Sequence, residues 1–216
     1  IAAAPALLGA ATDLAAAGRL ALDVLAPALA AEGAAPAGGE LVALCAEREP
    51  ELRQVAALVD SAAGRRASLD AADLSAGARE RVEQLDALLP PAAAVAHLLP
   101  ALPELLGADG RRTYLLLAQN NEELRATGGF ISGVGELAWE AGEIASMRFM
   151  DSYAVDDLAR PHPPAPAGLA RHMGAQYLVL RDANWDPDFP ASARQVAELY
   201  AQDQGVQVDG VIAWTL

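Results

Sequence analysis

The aromatic residues of this chain all lie in its second half, whereas most of its alanines lie in the first. All ten Phe, Tyr and Trp residues follow residue 113, and 35 of the 52 alanines precede residue 111. Alanine is the best helix former, but helices without aromatic side chains bury little area per residue. The change in composition falls at Leu106–Gly110, a segment typical of a turn. The sequence therefore predicts a helical region over 1–110 and a separate domain over 111–216.

Leucine and valine recur at helical spacing through the first 110 residues, which predicts several helices. Gly33–Gly39 interrupts the first apolar stripe, and Pro50 disturbs the second. Ser75 is placed to cap a third helix, which Pro90–Pro91 is expected to end before another begins. This region is either a stalk that holds the second half away from another structure or a small bundle packed on the second half.

The second half contains five apolar runs of strand length and one helical pattern. The predicted strands are Thr113–Gln119, Phe130–Glu140, Glu143–Asp151, Gln176–Arg181 and Val206–Leu216. Glu140–Glu143 is a hairpin signal, and Ala191–Gln202 is the predicted helix. We therefore expect an α/β fold, or an α+β fold, with a mixed sheet, a flanking helix and an incomplete C-terminal end.

Charge and composition exclude several classes of protein. The formal net charge is −14 and all 15 basic residues are arginine, which argues against binding to nucleic acid. A single cysteine, Cys45, excludes a disulfide within the chain and a cysteine-rich zinc site. The longest uncharged run, Ala87–Pro103, has 17 residues and four prolines, fewer than the roughly 20 apolar residues of a membrane span. We expect any membrane anchor to lie outside this chain, which has the character of a piece of a longer protein.

Polar residues that bind anions follow three of the predicted strands. In open α/β sheets, ligands bind where strands end, arginine forks onto phosphate, and glycine lets backbone N–H groups approach an anion. The candidate anion-binding residues are Asn120, Asn121, Arg125, Thr127, Gly128, Gly129, Arg148, Asp151, Arg181 and Asp182. We expect Arg125, Arg148 and Arg181 to converge near the loop 120–129. The alternative is a structural loop in which Arg125 pairs with Glu122 or Glu123.

No metal site is expected from residue spacing. The acidic segment from Arg181 to Pro190 lacks the glycine and the final glutamate that an EF-hand loop requires. The three histidines, His97, His162 and His172, do not have the spacing of zinc ligands.

Three ordered blocks resemble the bacterial domain of unknown function numbered four thousand and twelve. They are Tyr114–Phe130, Leu180–Pro190 and Val208–Ala213. The resemblance covers about residues 111–216, and the alanine-rich half is similar to the region that follows the membrane helix in such proteins. It implies a module anchored to the bacterial plasma membrane and lying outside the cytoplasm. Such a module would bind a cell-envelope glycan, a lipid headgroup or a partner protein.

A fainter resemblance is to the LytR-CpsA-Psr glycopolymer phosphotransferases, and it implies an enzyme as the alternative function. Those enzymes hold a polyprenyl pyrophosphate with several arginines and a carboxylate-bound magnesium. Arg125, Arg148 and Asp151 are the positions that would handle the pyrophosphate here, and magnesium is expected only under this alternative. The family's Ser-Ile-Pro-Arg-Asp-Thr block is absent, since Ser146–Ser152 stands in its place. Catalytic residues therefore remain unassigned.

Overall fold

The computed structural model describes residues 4–29, 37–70 and 74–215. The chain divides into two compact units. One comprises Ile1–Gly110 together with Ala141–Glu143, and the other comprises Arg111–Glu140 together with Ile144–Leu216.

The first unit is helical. Its helices are α1 (Ala4–Leu29), α2 (Gly38–Glu47), α3 (Glu49–Ala67) and α4 (Ala76–Leu105). Most of the predicted interruption at 33–39 lies outside the described residues, but α2 already begins at Gly38. Pro50 is accommodated in the first turn of α3, where a proline removes no helical hydrogen bond. Ser75 accepts a hydrogen bond from the backbone N–H of Ala78, so its predicted capping role is confirmed.

Helix α4 is continuous, so the predicted break at Pro90–Pro91 is wrong. Each interior proline costs a helix about 3 kcal/mol. Buried side chains lie on both sides of the pair, Leu85 and Leu89 before it and Ala96 after it, and their packing holds the two halves in one helix.

By length and composition, α4 is also apolar enough to cross a membrane, which overturns the expectation that no stretch of this chain could do so. Core helices of soluble proteins pass the same test, but only 17% of its most apolar 18-residue window is buried. Large apolar side chains of α4, including Leu88 and Val95, are more than half exposed. Association of this helix with a membrane is therefore weakly indicated.

The second unit is built on a mixed sheet, as predicted, but the sheet has four strands and not the five predicted. Its strands are β1 (Arg112–Asn120), β2 (Phe130–Glu140), β3 (Glu143–Asp151) and β4 (Gly210–Thr215), in the order β3-β2-β1-β4. Strand β1 pairs antiparallel with β2 and parallel with β4. The bounds of β2 and β3 are those predicted from the sequence.

Strand β4 begins at Gly210, four residues later than predicted. The residue before it, Asp209, uses its side chain to bind the start of β1. The carboxylate of Asp209 accepts hydrogen bonds from the backbone N–H of Thr113, at 2.8 Å, and from the guanidinium of Arg112, at 2.9 Å. Asp209 thus fixes the point at which the parallel pairing of β1 and β4 begins. The predicted end of the strand, Leu216, lies outside the described residues.

One face of the sheet packs against helix α6 (Phe189–Gln204). The core contains Leu115 and Leu117 from β1, Ile131 and Val134 from β2, and Val196, Leu199 and Tyr200 from α6. The predicted helix Ala191–Gln202 is confirmed with two more residues at each end.

The strand predicted at Gln176–Arg181 is wrong. Tyr177 forms only an isolated bridge with Pro164, and Leu180–Asp182 is a turn of 3-10 helix. Leu178, Val179 and Leu180 are buried, as residues of a core strand would be, but the N–H groups of Leu178 and Leu180 have partners outside any sheet. The N–H of Leu180 donates to the carboxylate of Asp156 at 2.7 Å, and that of Leu178 to the carbonyl of Pro163. A short helix α5 (Ala167–Met173) precedes it.

Candidate functional site

The loop between β1 and β2 is closed by its own hydrogen bonds. Asn120 accepts from the N–H of Glu122 through its side-chain oxygen, and the N–H of Phe130 donates to the carbonyl of Glu123. The side chain of Gln119, at the end of β1, donates to the hydroxyl of Thr127 at 3.0 Å. Because the loop is cross-linked in this way, the side chains that project from it have defined positions.

The two glycines of this loop serve close backbone packing. A Cβ on Gly129 would lie 2.2 Å from the carbonyl oxygen of Asn120, so no other residue fits there. Gly128 has a φ of +130°, which side chains rarely adopt, and its N–H donates to the carbonyl of Arg125. That N–H is therefore already used within the loop. The close approach to an anion that the sequence predicted for the glycines stays a prediction.

Arg125 projects from this loop into a largely buried position, with 12% of its side chain exposed. Its Nη1 donates to the carbonyl of Leu124, and its Nη2 lies 3.5 Å from the carboxylate of Asp182. Its guanidinium carbon lies 5.1 Å from the ring centre of Phe130, a cation–π contact. Its Nε is buried and has no hydrogen-bond partner among the described residues. The pairing with Glu122 or Glu123 that formed the alternative expectation is not the one in the structure.

Arg181 meets the same carboxylate from the other side. Its Nε lies 4.0 Å from Asp182, and its Nη1 donates to Asp156 at 3.1 Å. Its guanidinium carbon lies 4.5 Å from the ring centre of Tyr153, which is 67% exposed. Arg125 and Arg181 are thus joined through Asp182. We call Arg125, Arg181, Asp182 and Asp156 the arginine cluster.

Arg148 makes different contacts. Its Nη2 donates to the carboxylate of Glu136, at 2.8 Å, and to the hydroxyl of Tyr200, at 3.0 Å. The Tyr200 hydroxyl in turn donates to Glu136 at 2.8 Å. Burial raises the pKa of Tyr200 to about 12, and the Glu136 carboxylate adds to the shift. Burial opposes ionisation of Glu136, but the hydrogen bonds from Arg148 and Tyr200 outweigh it and lower the pKa of that carboxyl.

The predicted convergence of three arginines is therefore seen for two of them. Within the described residues, no contact joins Arg148 to the arginine cluster. Asp151 accepts a hydrogen bond from the N–H of Tyr153 and caps the turn that follows β3. Asn121 is exposed.

An open apolar pocket of about 430 Å³ adjoins the loop at Thr127. It is lined by Thr127, Pro187, Phe189, Val211, Ile212 and Ala213. The hydroxyl of Thr127 accepts from Gln119 and from the buried amide of Asn184, at 3.1 Å. The same loop thus carries Arg125 and one wall of this pocket.

A second buried polar group was missed in the sequence. The side chains of Asp156, His162 and Asp203 lie together, and each is at most 2% exposed. Asp156 and His162 lie in one segment and Asp203 lies near the end of α6, 41 positions after His162, so no motif spacing reveals the group. Hydrogen bonds connect this group to two predicted elements: Asp156 accepts from Leu180 and Arg181, and Asp203 accepts from Gln202.

The region that holds these groups matches a family model. The model is described as "Protein of unknown function (DUF4012)" and matches residues 109–216. The chain belongs to this family. The resemblance drawn from the three sequence blocks is thereby confirmed, and the DUF4012 region contains the whole sheet, the loop and the arginine cluster. No curated protein and no solved structure matches the chain.

Proposed function

We propose that the DUF4012 region is a binding module that holds an anionic group of a bacterial envelope lipid or glycan at Arg125 and Arg181. The observation that carries the proposal is the buried Nε of Arg125, which has no hydrogen-bond partner in the described part of the chain and lies beside the long contacts of Asp182. A buried donor without a partner costs about 1–3 kcal/mol, which an acceptor from a ligand would recover.

The geometry of the two guanidinium groups supports an oxygen-rich anion. Each lies over an aromatic ring, Arg125 over Phe130 and Arg181 over Tyr153, and the two rings are 6.2 Å apart. The rings limit the directions in which the guanidinium planes can turn. A planar fork held in this way suits phosphate or carboxylate, which arginine binds through two parallel hydrogen bonds.

The net charge of the chain implies that an anion can bind only where arginines are clustered. The chain carries a net charge of −14, so its overall field repels anions. The arginine cluster contains two cations and two carboxylates, and its contacts to Asp182, at 3.5 and 4.0 Å, are longer than those of a close ion pair. An anion that binds here must therefore compete with the carboxylate of Asp182 for the two guanidinium groups.

The apolar pocket at Thr127 supports a ligand with an apolar part next to its anionic group. Its volume of about 430 Å³ is that of a small-molecule site. It would accept one apolar segment of a lipid or the apolar face of a sugar ring. Membrane association is supported by the exposed apolar surface of α4, and the extracytoplasmic location is proposed from the family resemblance alone.

A phosphotransferase remains the alternative function, but it has less support. Of the residues mapped from the LytR-CpsA-Psr resemblance, Arg148 is bound to Glu136 and Tyr200, and Asp151 caps a turn. Only Arg125 belongs to the arginine cluster. The binding module is therefore the function that we propose.

Vesicle co-sedimentation tests the proposal and separates the sources of the anion. The full chain is mixed with phosphatidylglycerol vesicles, with phosphatidylcholine vesicles, and with phosphatidylglycerol vesicles plus excess inorganic pyrophosphate. We expect binding to the first only, released by pyrophosphate and lost in Arg125→Ala. Arg194→Ala, which removes an exposed arginine of α6, is the matched control and should bind as the wild type does. Equal sedimentation of both variants would contradict a lipid headgroup at the arginine cluster.

A further inference from the structure

The group formed by Asp156, His162 and Asp203 has the donor atoms and the burial of a metal site. One ligand atom from each of the three side chains lies within 4.8 Å of the other two. Their exposed fractions are 1% for Asp156, 2% for His162 and 1% for Asp203. Two buried carboxylates this close need a cation between or beside them, because like charges in a poorly solvated interior repel strongly.

The contacts around the three side chains orient them toward a common point. Nδ1 of His162 lies 3.0 Å from the carbonyl oxygen of Arg160, a contact that requires the proton on Nδ1. Nε2 then faces Asp203, whose carboxylate oxygen lies 2.9 Å away. A ring N–H donated to a backbone carbonyl is the arrangement that fixes a metal-binding histidine with its other nitrogen toward the metal.

The carboxylates are held from outside in the same manner. Asp156 accepts from the N–H of Leu180, at 2.7 Å, and from Arg181, at 3.1 Å. Asp203 accepts from the side chain of Gln202 at 3.3 Å. These outer contacts leave further lone pairs of both carboxylates for a ligand on the inner side.

The charge balance of the group also favours a cation. With the imidazole protonated at Nδ1 alone, two carboxylates face one guanidinium, that of Arg181. The remaining negative charge is compensated either by a second proton, on Nε2 at 2.9 Å from Asp203, or by a metal ion in the place of that proton. One histidine nitrogen with two carboxylate oxygens is a donor set that suits divalent transition metals, because imidazole favours zinc and its neighbours while carboxylates alone favour calcium or magnesium. Four-coordinate zinc with ligand distances of about 2.0–2.2 Å places its ligand atoms about 3.3–3.6 Å apart, so separations of up to 4.8 Å must shorten by as much as about 1.5 Å when the ion binds.

We propose that Asp156, His162 and Asp203 bind one divalent transition-metal ion, with a fourth position open to water. Such an ion would tie the segment 156–162 to the end of α6 and would neutralise the buried carboxylates. Asp156 also belongs to the arginine cluster, through Arg181, but the inference does not rest on the anion-binding proposal, because uptake of a metal ion is measured without any anionic ligand.

Isothermal titration of the full, metal-free chain with Zn²⁺ in 150 mM salt tests the proposal. We expect one saturable site, and a weakening of about 100-fold or more in His162→Gln, since even loss of an outer-shell contact costs 10- to 100-fold. His172→Gln removes an exposed histidine of α5 and should leave the affinity unchanged. Ca²⁺ should bind much more weakly than Zn²⁺ at this site. Non-specific binding to the acidic surface of the chain would instead give similar affinities for the two ions.

Three results would overturn the inference. One is the lack of saturable Zn²⁺ uptake by the wild type, which would leave a protonated His162 as the partner of Asp203. Another is equal affinity in His162→Gln and the wild type. If His162→Gln fails to fold, Asp203→Asn provides the same comparison. The third result is a spectrum of hydrated Co²⁺ from the Co²⁺-loaded wild type, whereas bands of a nitrogen- and oxygen-ligated ion support the site. This spectrum needs no variant, so it decides the question if both variants fail to fold.

Discussion

Asn184 donates from its side-chain amide to the carbonyl oxygen of Gly129, 2.7 Å away across 55 positions of the chain. The same amide nitrogen donates to the hydroxyl of Thr127 at 3.1 Å. Asn184 is 1% exposed and follows the 3-10 turn Leu180–Asp182, so it fastens the arginine-bearing loop to the segment that carries Arg181. This one side chain therefore helps to position both Arg125 and Arg181.

Replacing Asn184 with alanine should lower the free energy of unfolding of the second unit by about 2–3 kcal/mol, because the carbonyl of Gly129 would lose its partner in a buried position. Asn121→Ala, on the exposed part of the same loop, should change it by less than about 0.5 kcal/mol. Tryptophan fluorescence in a urea titration measures this unit alone, since Trp139, Trp185 and Trp214 all lie in it. Equal stability of the two variants would show that Asn184 does not hold the loop.

Gly129 should be irreplaceable for a steric reason that does not apply to Gly133. A Cβ at Gly129 meets backbone atoms at 2.2–2.8 Å, whereas at Gly133 the nearest atoms lie at 3.6 and 3.8 Å. We expect Gly129→Ala to cost about 1–3 kcal/mol or more, and Gly133→Ala to cost nothing measurable. The same urea titration checks both, and tolerance of Gly129→Ala would contradict the close approach of the two ends of the loop.

Tyr200 should make the second unit sensitive to alkali. Its folded pKa of about 12 lies above the ordinary value of 10, so the stabilisation from its protonated hydroxyl is complete below pH 10 and is lost as the pH rises toward 12. Tyr200→Phe should cost about 1.5–3 kcal/mol at neutral pH, because the hydroxyl donates to the charged Glu136. The gap in unfolding free energy between wild type and variant should narrow by about 2 kcal/mol from pH 9 to pH 11.5. Urea titrations at pH 9 and 11.5 check this, and a constant gap would contradict it.

Limited proteolysis should separate the two regions predicted from the sequence. Trypsin has Arg111 and Arg112 available at the junction, so we expect a protease-resistant fragment that begins near residue 112. A second susceptible stretch is expected within 33–39, which has no arginine or lysine and is therefore tested with elastase, a protease that cleaves after alanine. Mass spectrometry of the fragments identifies the cuts. A single resistant core that includes both residues 20–60 and the sheet would contradict the two-region organisation.

Secondary structure was predicted correctly where the local sequence pattern alone determines it. Strands β2 and β3 have the predicted bounds because apolar runs flank a two-residue turn, Ala141–Gly142, with positive φ at both positions. The run at Gln176–Arg181 has equal apolar character, yet it is not a strand, because Asp156 and Pro163 accept its N–H groups. Those acceptors lie at least 13 positions away, and no local pattern indicates them.

The candidate site divides in the same way. Arg125 and Asp182 were identified by their place after predicted strands, and the structure brings them together. Arg148 was grouped with them, but it lies within β3 and not after it. It is bound by Tyr200, a residue 52 positions away on α6, and no local pattern indicates that contact. Asp156, His162 and Asp203 were not identified, because their proximity depends on the path of a proline-rich loop.

The most direct test of the anion-binding account is a titration of the full chain with inorganic pyrophosphate. The account predicts a single site, weakened by about 1.5–3 kcal/mol in Arg125→Ala, the usual contribution of a hydrogen bond to a charged group. Arg194→Ala should bind as the wild type does. Binding that is absent, or that is the same in wild type and Arg125→Ala, would contradict the account and identify the arginine cluster as a structural ion-pair network.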